Sequence, residues 1–204
     1  MVTNKINSNL TLKEKILKHL IENKDKKESI NQASGAIVAD YKNTFNAINS
    51  FPQDLISIEK IGNSNIINLN LIPHQEIFNI ENKRTKEFLE KNKKIKLIQE
   101  DILSINYPFF IVLAFGSYVK KTETKNSDID ICIISDNKEK AKELISRINL
   151  FPAHIEVHDF LFKEFESMLK TKEANIAHEI VKNNIILYGI ENYYNLISKW
   201  MKKE

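Results

Sequence analysis

The first third of the chain is predicted to form three short helices followed by a β-hairpin. Hydrophobic residues first recur every three or four positions, which is the spacing of one helix face. They then alternate with polar residues on either side of a Gly-containing turn, which is typical of a hairpin. The predicted helices span about residues 12–23, 29–37 and 41–51, and the predicted strands span residues 55–61 and 66–71.

Residues at the ends of these helices support the prediction. Thr11 and Glu14 form a capping-box pattern before the first helix. Asp40 can cap the third helix, and Pro52 ends it. The charged residues 23–28, between the first two helices, are predicted to form a turn.

The rest of the chain predicts an α/β arrangement. Residues 74–104 are typical of one long helix or two consecutive helices, and their interspersed charges indicate a solvated face. Two apolar runs and one alternating run predict strands, over residues 109–115, 131–134 and 153–158. Further helices are predicted over residues 138–150, 161–170, 173–183 and 190–203.

Composition bounds the number of domains and the environment of the protein. The 204 residues suffice for one medium or two small domains, and 42% hydrophobic with 28% charged residues favours a folded chain. A net charge of +3 is weak evidence for a nucleic-acid partner. The single cysteine, Cys132, excludes an intramolecular disulfide. Without an apolar leader or a run long enough to span a bilayer, we expect a cytoplasmic protein with no membrane partner.

We therefore expect an α/β (α+β) chain of two domains. The first covers residues 1–72, and Pro73 marks the boundary. The second covers residues 73–204, in which residues 73–106 form a helical connector. The oligomeric state is open, and an oligomer is compatible with the sequence.

Three short helices followed by a hairpin resemble a winged helix-turn-helix. The resemblance implies that the third helix enters the major groove of duplex DNA. The side chains placed to read DNA are Tyr41, Lys42, Asn43 and Asn46. One lysine and no arginine is a small cationic set for a DNA-reading helix, so a winged helix that contacts only protein is an open alternative.

The chemically suggestive stretch lies between the predicted strands 109–115 and 131–134. Gly116 and Ser117 follow the first strand, and after ten further residues come Asp128 and Asp130. Gly116 lets the backbone approach a phosphate closely, and the Ser117 hydroxyl can bind phosphate oxygens. Asp128 and Asp130 are two positions apart, so on a strand both carboxylates would share one face and could bind a divalent cation.

A third carboxylate is available on the predicted strand 153–158. Glu156 would lie near the aspartates if this strand is adjacent to theirs. Asp159 is a rival on the opposite face. His154 and His158 share the face of Glu156, either as metal ligands or as partly buried hydrogen-bonding partners.

Residues 109–159 resemble the DNA polymerase β-type nucleotidyltransferase superfamily. The match is nearest to the minimal nucleotidyltransferases, whose pattern is Gly-Ser, ten residues, Asp-x-Asp. The segment Ile186-Leu187-Tyr188-Gly189 also resembles the C-terminal end of this group. The resemblance implies a small mixed sheet flanked by helices in the C-terminal domain, behind an N-terminal winged helix domain.

The resemblance also implies roles for individual residues. Gly116 and Ser117 would hold the nucleoside triphosphate, and Asp128 and Asp130 would bind Mg²⁺ or Mn²⁺. Glu156 would be the third metal-binding carboxylate and the base for the acceptor hydroxyl, although the family more often has Asp there.

The chain departs from the family pattern directly after Gly-Ser-Tyr. The family often has a small residue, Arg and Gly, where this chain has Val119, Lys120 and Lys121. Lys120 keeps the positive charge and can contact phosphate. The missing glycine leaves the conformation of this loop open.

The expected activity is transfer of a nucleoside monophosphate from an NTP to a hydroxyl, with release of pyrophosphate. The expected nucleotide is AMP, taken from ATP, and another NTP would supply the corresponding monophosphate. The resemblance suggests a protein acceptor, such as a HEPN-type toxin partner, and hence an antitoxin. The alternative is a DNA-binding transcriptional regulator whose nucleotidyltransferase domain senses nucleotide or is inactive.

Overall fold

The computed structural model describes residues 10–105 and 107–201 and divides into two compact units at Ile80/Glu81. The predicted domain boundary at Pro73 stays a prediction. The predicted ends of the two domains, residues 1–9 and 202–204, lie outside the described residues, as does residue 106 at the end of the predicted connector. No helix of the described ranges is both long and apolar enough to cross a membrane.

The N-terminal unit contains the three predicted helices. They are α1 (Leu12–Glu22), α2 (Ile30–Ala36) and α3 (Tyr41–Asn49). The capping box of Thr11 and Glu14 is present, and the Asp40 side chain accepts from the Asn43 backbone N–H. A second capping box, between Ser29 and Gln32, begins α2.

A small antiparallel sheet completes this unit. Its strands are β1 (Glu28–Ser29), β2 (Ile56–Ile61) and β3 (Ser64–Leu69), in the order β1-β3-β2. The prediction of a turn up to Glu28 is wrong at its last residue, since Glu28 pairs with Ile67 of β3. Two residues are too few to show a period-two pattern, so the sequence carries no signal for β1. That this unit is a winged helix stays a prediction.

The boundary between the two units falls within one helix, so the C-terminal unit begins inside it. That helix is α4 (Gln75–Lys91), and α5 (Lys93–Ser104) begins after Asn92 interrupts the helical backbone. Two consecutive helices, rather than one, therefore occupy the predicted region. The remaining elements are β4 (Ile111–Phe115), α6 (Gly116–Lys120), β5 (Ile129–Ile134), α7 (Lys138–Ile148), β6 (Ile155–Phe160), α8 (Phe162–Lys170), α9 (Ile176–Lys182), β7 (Ile185–Tyr188) and α10 (Ile190–Met201).

A four-stranded mixed sheet organises this unit, in the order β6-β5-β4-β7. Strands β5 and β6 are parallel, whereas β4 is antiparallel to both β5 and β7. Every residue of β4 is buried, which explains its uninterrupted apolar run. The predicted mixed sheet of the C-terminal domain is confirmed.

A buried ionic network ties the start of this unit to its end. Glu81 is fully buried and pairs with Arg84 at 2.5 Å. Arg84 also donates to the backbone oxygen of Asn184, and the Tyr194 hydroxyl donates to Glu81 at 2.6 Å. These bonds join residues about a hundred positions apart, so the network needs the complete unit to form.

Replacing Arg84 with methionine should destabilise the C-terminal unit strongly. The variant leaves the Glu81 carboxylate buried without its cation, which typically costs about 3–5 kcal/mol. Urea unfolding of Arg84→Met measures this cost, and Lys86→Met, an exposed lysine on the same helix, is the control. Equal unfolding free energies for the two variants would contradict a structural role for the ion pair.

Candidate functional site

The predicted site lies where β4 ends beside the start of β5. The two strands are antiparallel, and Phe115 at the end of β4 pairs with Asp130. Gly116 and Ser117 begin α6 directly after Phe115, and α6 contacts both strands. The pairing therefore places the Gly-Ser step and Asp130 at the same end of the sheet, as predicted.

Gly116 is required at its position for two reasons. Its φ is +70°, a conformation that side chains disfavour. A Cβ added there would also lie 1.8 Å from Oδ2 of Asp130. The Asp130 carboxylate thus occupies the space that a side chain would fill, and the following backbone N–H, of Ser117, donates a hydrogen bond to it.

Glu156 is brought to Asp130 by parallel strand pairing. The two residues are opposite each other in the register of β5 and β6. His158 follows two positions later on the same face, and its Nε2 lies 3.1 Å from Oε1 of Glu156. Asp130, Glu156 and His158 each offer a ligand atom, and these atoms all lie within 4.8 Å of one another.

Asp128 does not lie on strand β5 with Asp130, the second aspartate of the predicted pair. Strand β5 begins at Ile129, so Asp128 precedes the strand, and it is exposed. The group of possible metal ligands found among the described residues, Asp130, Glu156 and His158, includes Asp130 but not Asp128. Its charge nevertheless acts on Asp130, as one of the influences that raise the pKa of that carboxyl group.

The electrostatics of Asp130 favour a bound cation. Burial raises the pKa of its carboxyl group above the usual value, and the neighbouring Glu156 charge raises it further. The Ser117 hydrogen bond and His158 act in the opposite direction. Ionised Asp130 is therefore costly beside Glu156, and a divalent cation between the two would remove that cost.

The donor set fits such a cation. Carboxylate oxygens are the ligands that Mg²⁺ and Mn²⁺ prefer, and imidazole nitrogen is a common metal ligand. A metal held by Asp130, Glu156 and His158 would supply charge neutralisation for a phosphoryl group beside Gly116.

The loop after the Gly-Ser step keeps a turn geometry although its glycine is missing. Lys121 ends α6 with φ +59° and ψ +36°, the left-handed conformation that glycine favours. Lys121 therefore adopts a backbone conformation that glycine would adopt at lower cost. Lys120 pairs with Glu179 of α9, a partner that no sequence pattern indicated.

The remaining candidate residues, Asp159, His154 and Cys132, lie outside the group formed by Asp130, Glu156 and His158. Asp159 is exposed on β6, on the opposite face from Glu156. His154 is exposed just before β6, and its backbone oxygen accepts from the Ile129 N–H. Cys132 is fully buried, which raises the pKa of its thiol and makes it unsuited to act as a nucleophile.

In the N-terminal unit, the predicted DNA-reading side chains share exposure to solvent. They are Tyr41, Lys42, Asn43 and Asn46 of α3. The Tyr41 hydroxyl also accepts from the side-chain amide of Asn65, next to the hairpin turn. These positions are compatible with a contact surface formed by the start of α3 and the hairpin.

Gly116 and Gly62 provide a matched test of the close approach to Asp130. Gly62 also has a positive φ, +58°, but a Cβ there would meet nothing within 4 Å. Gly62→Ala should therefore cost only the left-handed backbone penalty, about 1–2 kcal/mol. Gly116→Ala should cost more, because Asp130 must also move away.

Urea unfolding measures the loss of unfolding free energy in each variant, for the N-terminal unit in Gly62→Ala and for the C-terminal unit in Gly116→Ala. Equal losses of unfolding free energy would mean that the position of the Asp130 carboxylate does not require residue 116 to lack a Cβ.

Comparisons with known proteins cover the segment in which this site lies. The family described as nucleotidyltransferase domain matches residues 98–185, which include Gly116, Asp130 and Glu156. A Methanocaldococcus jannaschii protein, named as a putative protein adenylyltransferase, is 28% identical over 100 residues, covering 47% of this chain and 72% of the relative.

A chain of the crystal structure of a toxin-antitoxin with AMP-PNP covers 51% of this chain and 84% of that chain, at 22% identity and a TM-score of 0.33. A likeness this weak supports no conclusion about the present chain. The family match and the strand arrangement agree on the same segment. The part of this chain that is similar to the nucleotidyltransferase domain family is residues 98–185.

Proposed function

We propose that this protein transfers AMP from ATP to a hydroxyl group on another protein and releases pyrophosphate. The observation that carries the proposal is the strand register of Asp130 and Glu156, beside the Gly-Ser step of a nucleotidyltransferase domain. Two carboxylates that share a divalent cation, next to a phosphate-binding turn, suit displacement at an α-phosphate.

Each residue has a proposed part in the reaction. Gly116 and Ser117 bind the triphosphate, and Lys120 moves from Glu179 to a phosphate oxygen when the nucleotide binds. Asp130 and Glu156 would hold the metal, Mg²⁺ or Mn²⁺, which would neutralise charge on the phosphates, and Asp128 is the further carboxylate proposed to bind it. Glu156 accepts the proton of the acceptor hydroxyl, which thereby becomes a better nucleophile.

The proposed acceptor is a protein. The Methanocaldococcus jannaschii relative is named as a putative protein adenylyltransferase, and it matches nearly half of this chain. A small helical protein of the HEPN type, encoded beside this chain, is the acceptor that we would test first. In that pairing this chain would act as the antitoxin.

Labelled ATP distinguishes this reaction from phosphorylation. The full chain is incubated with the candidate acceptor, a divalent metal and ATP labelled at either the α- or the γ-phosphate. We expect label on the acceptor from α-labelled ATP only, with pyrophosphate released in equal amount. Label from γ-labelled ATP, or no label from either, would contradict the proposal.

Glu156→Gln should lower the rate of transfer by about 10²–10⁴-fold, because it removes the proposed base. The matched variant Asp159→Asn removes an exposed carboxylate from the opposite face of the same strand. Its rate should stay within about twofold of the native rate, as for a surface substitution away from the chemistry. A larger loss for Asp159→Asn than for Glu156→Gln would assign the third carboxylate to Asp159.

A second candidate function is duplex DNA binding by the N-terminal unit. The observation that favours it is the exposed set on α3, with Tyr41 bonded to Asn65 beside the hairpin turn. In this proposal Lys42 contacts phosphate, while Asn43 and Asn46 contact base edges.

Lys42→Ala should weaken duplex binding by the full chain uniformly across sequences, since phosphate contacts carry no sequence information. The slope of log affinity against log salt concentration should fall by about one. Gel shifts at several salt concentrations measure both effects. Lys27→Ala, an exposed lysine before β1, is the control, and equal slopes for the two variants would exclude α3 as the DNA-binding surface.

A further inference from the structure

We infer that His158 is a direct ligand of the catalytic metal and that it makes the site select Mn²⁺ over Mg²⁺. The inference rests on the proposed function, because it concerns the metal of that same site. It differs from the arrangement of three carboxylates that the family resemblance implies, since one ligand is an imidazole nitrogen.

The first argument is the spacing of the ligand atoms. In an octahedral site with metal–ligand distances of about 2.1 Å, neighbouring ligand atoms lie about 3.0 Å apart and opposite ones about 4.2 Å apart. Nε2 of His158 lies 3.1 Å from Oε1 of Glu156, and the ligand atoms of the three residues all lie within 4.8 Å of one another. The distance between Glu156 and His158 thus matches that of neighbouring ligands on one ion, and Asp130 lies close enough to join them after a small shift of its side chain.

The second argument is that the imidazole is held in place by the fold. His158 lies opposite Cys132 in the β5–β6 register, on the face that carries Asp130 and Glu156. Its ring packs against the ring of Phe115, with centroids 5.5 Å apart. Phe115 is buried at the end of β4, directly before Gly116. The His158 ring therefore contacts both the Phe115 ring and the Glu156 carboxylate.

The third argument is the chemistry of a mixed donor set. Mg²⁺ is a hard cation that prefers oxygen ligands and keeps several waters. Imidazole nitrogen favours first-row transition metals, whereas carboxylates and water also suit Mn²⁺. Mn²⁺ would therefore accept the imidazole together with the two carboxylates more readily than Mg²⁺ would. Three protein ligands would also leave positions for phosphate oxygens, which nucleotidyl transfer needs.

A hydrogen bond between His158 and Glu156 without any metal would give the same distance in the ligand-free structure. The two possibilities differ in the bound state. A metal ligand places a nitrogen nucleus in direct contact with the ion, and its removal changes the affinity for one ion more than for the other.

The experiment uses Mn²⁺ as the probe and the full chain without nucleotide. Titration followed by electron paramagnetic resonance gives the Mn²⁺ affinity, and competition by Mg²⁺ gives the Mg²⁺ affinity. Pulsed measurements on the bound ion detect magnetic coupling to a coordinated nitrogen. The variants are His158→Gln and, as a matched control, His154→Gln, which removes an exposed histidine next to the same strand.

We expect the native chain to bind Mn²⁺ at least about tenfold more tightly than Mg²⁺ and to show nitrogen coupling. His158→Gln should lose the coupling and about 10–100-fold of the Mn²⁺ affinity, while the Mg²⁺ affinity changes little. His154→Gln should behave as the native chain. Thermal unfolding of both variants checks that neither loss reflects an unfolded chain.

Three results would overturn the inference. They are the absence of Mn²⁺ binding by the native chain, nitrogen coupling that persists in His158→Gln, and a Mn²⁺/Mg²⁺ affinity ratio that this substitution leaves unchanged. The experiment distinguishes a failure of this inference from a failure of the proposed function. Nitrogen-coupled Mn²⁺ without transfer of AMP would refute only the function, and transfer of AMP with an unchanged ratio would refute only the role of His158.

Discussion

A single missing methyl group sets the geometry on which the C-terminal unit's site depends. The Asp130 carboxylate lies where the Cβ of residue 116 would be in any other amino acid. Because β4 ends one residue earlier, the backbone can turn sharply into α6 and direct the Ser117 N–H at the carboxylate. The structural need for a glycine at position 116 is therefore the approach of the Asp130 side chain.

The parallel pairing of β5 and β6 extends this geometry to the remaining ligands. Since Asp130 is opposite Glu156, the alternation of side chains along β6 also brings His158 to the same face. The sequence predicts this part well, because each strand is a run of apolar or alternating residues with polar groups at defined positions. Helix α7 connects β5 to β6, and such a helical connection allows the two strands to pair in parallel.

Other parts of the site could not be predicted, because they depend on where strands and helices end. Asp128 was expected on the strand, but β5 begins after it, and strand ends are not visible in a hydrophobic pattern. The pairing of Lys120 with Glu179 joins residues 59 positions apart, and only the packed fold brings them together. The left-handed backbone of Lys121 is likewise a property of the folded loop, since nothing in the residue itself favours it.

This division has a consequence for how the site works. Asp130, Glu156 and His158 lie on paired strands, so their ligand atoms are close together without a bound ion. Asp128, Lys120 and Lys121 are exposed and lie on the short helix α6 or the loop before β5. Ordering the long, exposed lysine side chains has an entropic cost, and Glu156, whose side chain is also exposed, shares part of it. The strands therefore restrict Asp130 and His158, which are half-buried, more than they restrict Glu156 and the two lysines, which are exposed.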